Sequence, residues 1–327
     1  MTHKTGFLKI KLLVGISVMA GASALLLNPA MAQEKYPVDT VTLVTHSSPG
    51  GGSDVYLREM SKFLAPALGA NVVVKNVKGG GSAKAVAFVA KQKPDGATFY
   101  GATPVYINVD LLTNSTYGVK DLEPVVNFFL DPPVLYVREN SPIHSLKDVI
   151  ELAKANPGMQ KWGTSNPAAL DRMALERLKS LADIDIAVVT HEGGGDMMIN
   201  VLNGSLDLGI GEVQEIRGQL EAGKLRLIST LTEKRLDEFP DVKTAKEEGL
   251  NMVVKKFRGL VGPKGLPENV IKAWEDAVPK VMADPEFQEW YKSNGLLPAF
   301  LTHAEAVPFI EDVIQEQESF FVKYGLK

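Results

Sequence analysis

Three short segments combine glycine with small polar residues just ahead of a helical pattern: Gly50-Gly51-Gly52-Ser53-Asp54, Gly79-Gly80-Gly81-Ser82 and Gly193-Gly194-Gly195-Asp196. A helix start leaves about four backbone N–H groups without intrahelical partners and carries roughly half a positive charge. Glycine lets an anion approach that backbone closely, and Ser53 or Ser82 adds a hydroxyl donor. Several such ends facing one cleft form a carboxylate or phosphate pocket with no arginine required. One such turn alone reads first as a tight bend in which Ser53, Asp54 or Asp196 caps its own helix. Three of them at equivalent strand ends favour a site built from Gly50, Gly51, Gly52, Ser53, Asp54, Gly80, Gly81, Ser82, Gly194, Gly195 and Asp196.

Thr103, Ser165 and Asn166 fall at equivalent strand ends and supply neutral donors and acceptors for orienting a small polar molecule. Among the acids, Glu212 and Glu215 follow a strand that ends at Gly211, and Asp171 opens a helix. Glu212 and Glu215 are expected to pair with Arg172 or Arg217, or to receive an amine or hydroxyl of a ligand. So many carboxylates suit a monoanion or a zwitterion better than a polyanion. His46 and His191 stand beside glycine turns, where each can touch ligand or merely cap and pack.

Catalytic and nucleotide motifs are missing. The first turn lacks the Gly-Lys-Ser/Thr ending of a phosphate-binding loop, and no Gly-x-Gly-x-x-Gly follows the first strand. There is no Gly-x-Ser-x-Gly elbow, and glycines follow His191-Glu192 where a metalloprotease needs its second histidine. The five histidines are scattered and cysteine is absent, so neither a metal site nor a cofactor is expected.

The elements that must position these residues alternate strand, glycine turn and helix. Strands are expected at 41–45, 71–74, 97–102, 134–137, 186–190, 206–211 and 225–231, with helices at 55–68, 83–91, 145–156, 167–181, 194–202 and 213–222. Ser145-Leu146-Lys147-Asp148 has capping-box spacing. The tail, 268–327, reads as helical, with Trp274, Phe287, Trp290 and Tyr291 packing. This alternation predicts an α/β fold of mostly parallel sheets flanked by helices. Two lobes are expected, one of residues 33–135 plus 230–327 and the other of 136–229, with the ligand cleft between them.

The amino terminus carries Lys4, Lys9 and Lys11, an apolar run over 12–27, and Ala30-Met31-Ala32. That layout predicts a secretory leader over 1–32, cleaved after Ala32. Sixteen residues rise roughly 24 Å, short of the roughly 30 Å of bilayer hydrocarbon. The mature product is therefore expected outside the cytoplasm with no membrane insertion. A formal charge of −4 and no dense basic cluster argue against nucleic-acid binding.

A series of colinear segments resembles the periplasmic receptors of the tripartite tricarboxylate transporters, the TctC-like or Bug family. They include Pro49-Gly50-Gly51-Gly52-Ser53-Asp54 with Arg58, Lys93-Pro94-Asp95-Gly96-Ala97-Thr98, Leu202-Asn203-Gly204-Ser205-Leu206-Asp207, Arg258-Gly259-Leu260 and Pro263-Lys264-Gly265-Leu266-Pro267. The resemblance implies a type II-like, two-lobed binding protein that closes over a small organic carboxylate. It also implies delivery to a membrane transporter with one large and one small subunit. By position it places one ligand carboxylate at Ser47, Ser48 and the turn through Asp54, and at the second turn. The rest of the ligand would meet Thr103, Ser165, Asn166 and the third turn. The chain departs from the family pattern at His46-Ser47-Ser48, where Pro-Phe-Ala is usual, and at Thr190-His191-Glu192, where Pro-Tyr-Lys is usual. Two other functions fit the same residues less well: a ligand sensor that docks on a receptor kinase, and a secreted hydrolase using His191 with Ser165 or Ser48.

Overall fold

Each βαβ step begins with a short β-branched strand and ends in a glycine or polar turn. In the computed structural model the described residues are 36–113, 115–323, 325 and 327, with Met1 and Thr2. The remainder of the expected leader and its cleavage point lie outside them. The folded unit is Lys35–Lys327.

The chain opens with β1 (Thr40–Thr45), α1 (Gly52–Leu68), β2 (Asn71–Asn76), α2 (Ala83–Ala90), β3 (Thr98–Ala102), α3 (Val105–Leu112) and β4 (Leu122–Leu130). It continues with β5 (Val134–Arg138), α4 (Leu146–Ala155), β6 (Lys161–Thr164), α5 (Leu170–Ala182), β7 (Ala187–Thr190), α6 (Gly194–Leu202), β8 (Leu208–Gly211), α7 (Val213–Glu221) and β9 (Leu225–Thr230). It closes with β10 (Phe257–Pro263), α8 (Glu268–Ala283), α9 (Pro285–Ser293), β11 (Leu297–Leu301) and α10 (His303–Lys323).

Two sheets result, ordered β11-β4-β10-β3-β1-β2 and β7-β6-β8-β5-β9. Both are mixed rather than mostly parallel. The parallel pairs are β1 with β2 and β3, and β6 with β7 and β8, each joined by a crossover helix. Strands that carry the chain between sheets run antiparallel: β10 against β3 and β4, and β5 against β8 and β9. The first crossing lies between Leu130 and Val134 and the second between Thr230 and Phe257. A boundary after residue 135 would cut β5. The two crossings are tied by Asp131 N–H donating to the Lys256 carbonyl at 2.6 Å and Leu231 N–H to the Pro133 carbonyl at 3.2 Å.

The first core wraps Trp274, whose ring meets Phe99 edge-on at 5.1 Å, and includes Phe128, Phe129, Phe287 and Tyr291. Tyr56, Leu57, Met60, Leu64 and Leu68 form the buried stripe of α1, and Gly69 ends that helix in the left-handed region. The second core surrounds Trp162 with Leu135, Leu175 and Leu208. At α4 the Ser145 hydroxyl accepts from Asp148 N–H at 3.1 Å, and the Asp148 carboxylate reaches back to His144 N–H at 2.8 Å and to Ser145. Sequence periodicity did not reveal β4, β6, β10 or β11. In particular, the tail expected to be helical contains β11, which extends the first sheet against β4.

Candidate functional site

At the end of β1 the chain turns through His46, Ser47 and Ser48, with Gly51 N–H donating to the Ser48 carbonyl at 3.0 Å. Gly50 takes a φ of 80° there, which an L side chain would resist. Asp54 braces the loop: its carboxylate accepts from Gly50 N–H at 3.0 Å, Arg58 Nε at 2.9 Å and Asn76 Nδ2 at 2.8 Å. Burial opposes its charge, but these donors outweigh burial and hold its carboxyl below the usual range. Asp54 is thus occupied within its own loop and does not line the cleft.

Eight of the expected residues do line one common cleft: Ser47, Gly52, Ser53, Thr103, Ser165, Asn166, Gly194 and Glu212. They come from the strand ends of both sheets. The space they enclose is narrow, about 30 Å³ for the centre of a water-sized sphere, room for about two or three waters. Gly50, Gly51, Gly80, Gly81, Ser82, Gly195 and Asp196 stand outside the lining. Gly81 sits behind Asn166, Ser82 is buried, and half-exposed Asp196 lies 3.9 Å from Lys78. Ser48 is buried against Gly193, its Oγ without a hydrogen-bond partner.

Five helices begin at this cleft: α1 at Gly52, α3 at Val105, α5 at Leu170, α6 at Gly194 and α7 beside Glu212. None of them is capped by the side chain of its N-cap residue. Ser145 and Asp284 cap α4 and α9, which start elsewhere, while α2 and α8, also outside the cleft, have no such cap. The cleft therefore gathers orphan amides and the positive ends of helix dipoles from both sheets.

A buried ionic cluster forms one wall, and three of its members, Lys256, Arg258 and Asp131, escaped the sequence argument. Lys256 pairs with Glu212 and, at 3.3 Å, with Asp171. Arg258 pairs with Asp131 at 2.5 Å, faces Glu212 at 3.5 Å, and donates to Ser53 Oγ at 2.5 Å. Ser165 donates to Asp171 at 2.6 Å. The partners expected for Glu212 and Glu215 are engaged elsewhere: Arg172 holds Glu176, and Arg217 holds Glu221 and Glu238. The available signal was the alternation Lys256-Phe257-Arg258 at the head of β10, which puts both cations on one face.

Burial and like charge set the protonation states. Burial, with Arg258 and Lys256 close by, pushes His46 down to about 3. Its Nδ1 lies 2.6 Å from the Tyr100 hydroxyl, which burial keeps protonated. Burial, then Glu212 and Asp171, raise Glu215 well above its ordinary value and so favour its protonated form. Glu212 is held charged because Lys256 and Arg258 outweigh its burial.

Residues 56–326 match the model of the tripartite tricarboxylate transporter family receptor. The chain belongs to that family. A UPF0065 protein from the gbd 5' region of Cupriavidus necator is 29% identical over 95% of this chain and 96% of its own length. A solved structure described as a periplasmic transporter superposes with a TM-score of 0.85 at 27% identity, covering 89% of this chain and 99% of that one. R. palustris Rpa4515, solved with adipate, shares the fold at a TM-score of 0.84 and 24% identity, over 89% and 99% of the two chains.

As a receptor of this family the chain is a solute-binding protein, not an enzyme. The hydrolase arrangement is accordingly not assembled: His191 Nδ1 lies 3.3 Å from the Thr164 carbonyl, and Ser165 is committed to Asp171. Both segments that depart from the family pattern contribute to the cleft, through His46, Ser47 and Glu192. Among the described residues no group of three metal-ligating side chains is placed to hold an ion, and no helix is long and apolar enough to cross a membrane.

Proposed function

We propose that this protein captures a small carboxylate-bearing solute outside the cytoplasm. It then delivers that solute to a tripartite tricarboxylate-type membrane transporter with one large and one small subunit. The observation that carries the proposal is the meeting of five uncapped helix starts, drawn from both sheets, at one narrow cleft. Orphan amides satisfy a carboxylate without a dedicated cation. Lys256 and Arg258 are already neutralised by the chain's own acids. The adipate bound to Rpa4515 gives a precedent for a carboxylate in this fold.

On this proposal the two sheets and their helices act as lobes, and the crossings at 131–133 and 231–256 serve as hinges. Ser47, Gly52, Ser53, Thr103, Ser165 and Asn166 hold the ligand, while Asp54, Gly50, Gly51, Ser48 and the second turn fix the loops that present them. The leader over 1–32 directs export.

A thermal-shift screen of mono- and dicarboxylates on the purified protein tests the binding step. A ligand at a hundred times its dissociation constant adds about 2.7 kcal/mol of stability. Stabilisation by sugars or cations, with no response to any carboxylate, would refute the proposal. Intact mass of the exported protein should begin at Gln33, and deletion of the gene should abolish uptake of the ligand the screen identifies.

A further inference from the structure

The buried wall of the cleft holds two cations and four carboxyls, and their pairing is unequal. Lys256 is engaged by Glu212 and Asp171, and Arg258 by Asp131 and Glu212. Among the described residues, Glu215 has no ion-pair partner. Its side chain is 93% buried by the 7% exposure of the residue, it lines the cleft, and its Oε1 has no hydrogen-bond partner. The carboxyl is held in place by two glycines. A Cβ on Gly194 would collide with Oε1, and one on Gly211 would lie 2.6 Å from Oε2. No buried cation of the wall is left over for a second ligand carboxylate, whereas one of its buried carboxyls is left without a cation.

We propose that Glu215 is a specificity-determining residue, receiving a protonated amine carried by the carboxylate-bearing solute. This rests on the carboxylate-binding proposal above and names the second group of the same ligand. The ligand is then an aminocarboxylate, with its anion at the helix starts and its ammonium on the side of the Glu215 carboxyl that lines the cleft. The groups that face Glu215 are Glu212 on the same turn, Asp171 from α5, Lys256 and Arg258 at β10, and Tyr136 from β5. Without ligand, burial first and then the facing acids favour a proton on Glu215. An arriving ammonium keeps its own protons and displaces that one to solvent, so binding releases about one proton. A second carboxylate would instead add negative charge to a wall where acids already outnumber bases.

The test is titration calorimetry on the full mature chain with shape-matched pairs: γ-aminobutyrate and butyrate, L-aspartate and succinate, 4-(aminomethyl)benzoate and 4-methylbenzoate. In at least one pair the amine should bind about thirtyfold more tightly, with an enthalpy that tracks buffer ionisation. Glu215→Gln should erase that preference and the proton release, while the exposed control Glu221→Gln should retain both. Equal affinity within every pair, or a preference that survives Glu215→Gln, overturns the amine site and leaves carboxylate capture standing. No binding of any of the six overturns both. Should Glu215→Gln fail to fold, the buffer dependence of the unaltered protein decides, and its absence for a bound amine overturns the assignment.

Discussion

Glu212 and Gly52 belong to opposite sheets, yet the Glu212 carboxylate lies so close over Gly52 that a Cβ built there would collide with Oε2 and come within 3.0 Å of Arg258 Nη2. The side chain thus reaches from the end of β8 to the first turn of α1, where its charge faces the helix start as well as Lys256 and Arg258. It is the point at which the ionic cluster and the glycine turn become one site. Glycine is required at position 52 by proximity and not by backbone conformation.

Gly52→Ala therefore should destabilise the protein by about 1–3 kcal/mol through overpacking, although alanine is the better helix former. Gly218→Ala, in α7 with no atom near the new methyl, should stabilise by about 0.5–1 kcal/mol instead. Urea unfolding of the two variants checks the opposed signs. A gain of stability in Gly52→Ala would show that Glu212 does not occupy this position.

Arg258→Met should cost about 3–5 kcal/mol, because Asp131 and Glu212 remain buried with one cation between them and the methionine cannot donate to Ser53. Arg217→Met removes two ion pairs with partly exposed partners and should cost about 0–1 kcal/mol. Chemical denaturation separates these by the midpoint shift at constant m. Comparable losses would mean that the wall is solvated.

The turns and most helices were legible in the sequence because glycine runs and one-faced apolar stripes are local signals, as in α1 from Tyr56 to Leu68. The ionic wall was not legible. Lys256 and Arg258 lie far along the chain from Asp131, Asp171 and Glu212, and only the second crossing brings them together. Partner choice for Glu212 went astray for the same reason: Arg217 is near in sequence, but on α7 it faces Glu221 and Glu238. The strands β4 and β10 were missed because they carry the crossings and are buried on both sides, so they show no alternation. Asp54 and Asp196 illustrate a subtler limit: both sit in glycine turns, yet only the fold decides whether a carboxylate braces its loop or faces the surface.

Stability should depend on pH in two opposite ways. Glu215, raised in the folded state by burial, Glu212 and Asp171, binds its proton more tightly there than in the unfolded chain. Its contribution is present below the ordinary carboxylate pKa and is lost as pH rises toward the raised value. Asp54, lowered by Arg58, Gly50 and Asn76, contributes above its ordinary pKa, and that contribution is lost as pH falls through the lowered one. Unfolding measured from pH 3 to 8 should accordingly show Glu215→Gln flattening the decline on the alkaline side, and Asp54→Asn removing part of the loss on the acid side. A Glu215→Gln curve parallel to that of the unaltered protein would mean that Glu215 titrates normally.

Closure can be trapped covalently because the chain has no cysteine of its own. The loop after β1 and the loop before α6 belong to different sheets, and a Cβ on Gly193 would lie 3.0 Å from that of Ser48. Disulfide Cβ atoms are usually about 3.5–4.5 Å apart, so a small backbone shift admits a bond in a Ser48→Cys, Gly193→Cys double variant. Gly193 has an extended φ of 168°, which any residue adopts. With only about 30 Å³ open to the centre of a water-sized sphere, a cleft linked in this state does not let a carboxylic acid of several carbons enter. The oxidised variant should therefore neither take up nor release the ligand found by thermal shift, and dithiothreitol should restore binding. If ligand enters the oxidised protein at the unaltered rate, access does not require these loops to part, and the crossings at 131–133 and 231–256 are not the hinges.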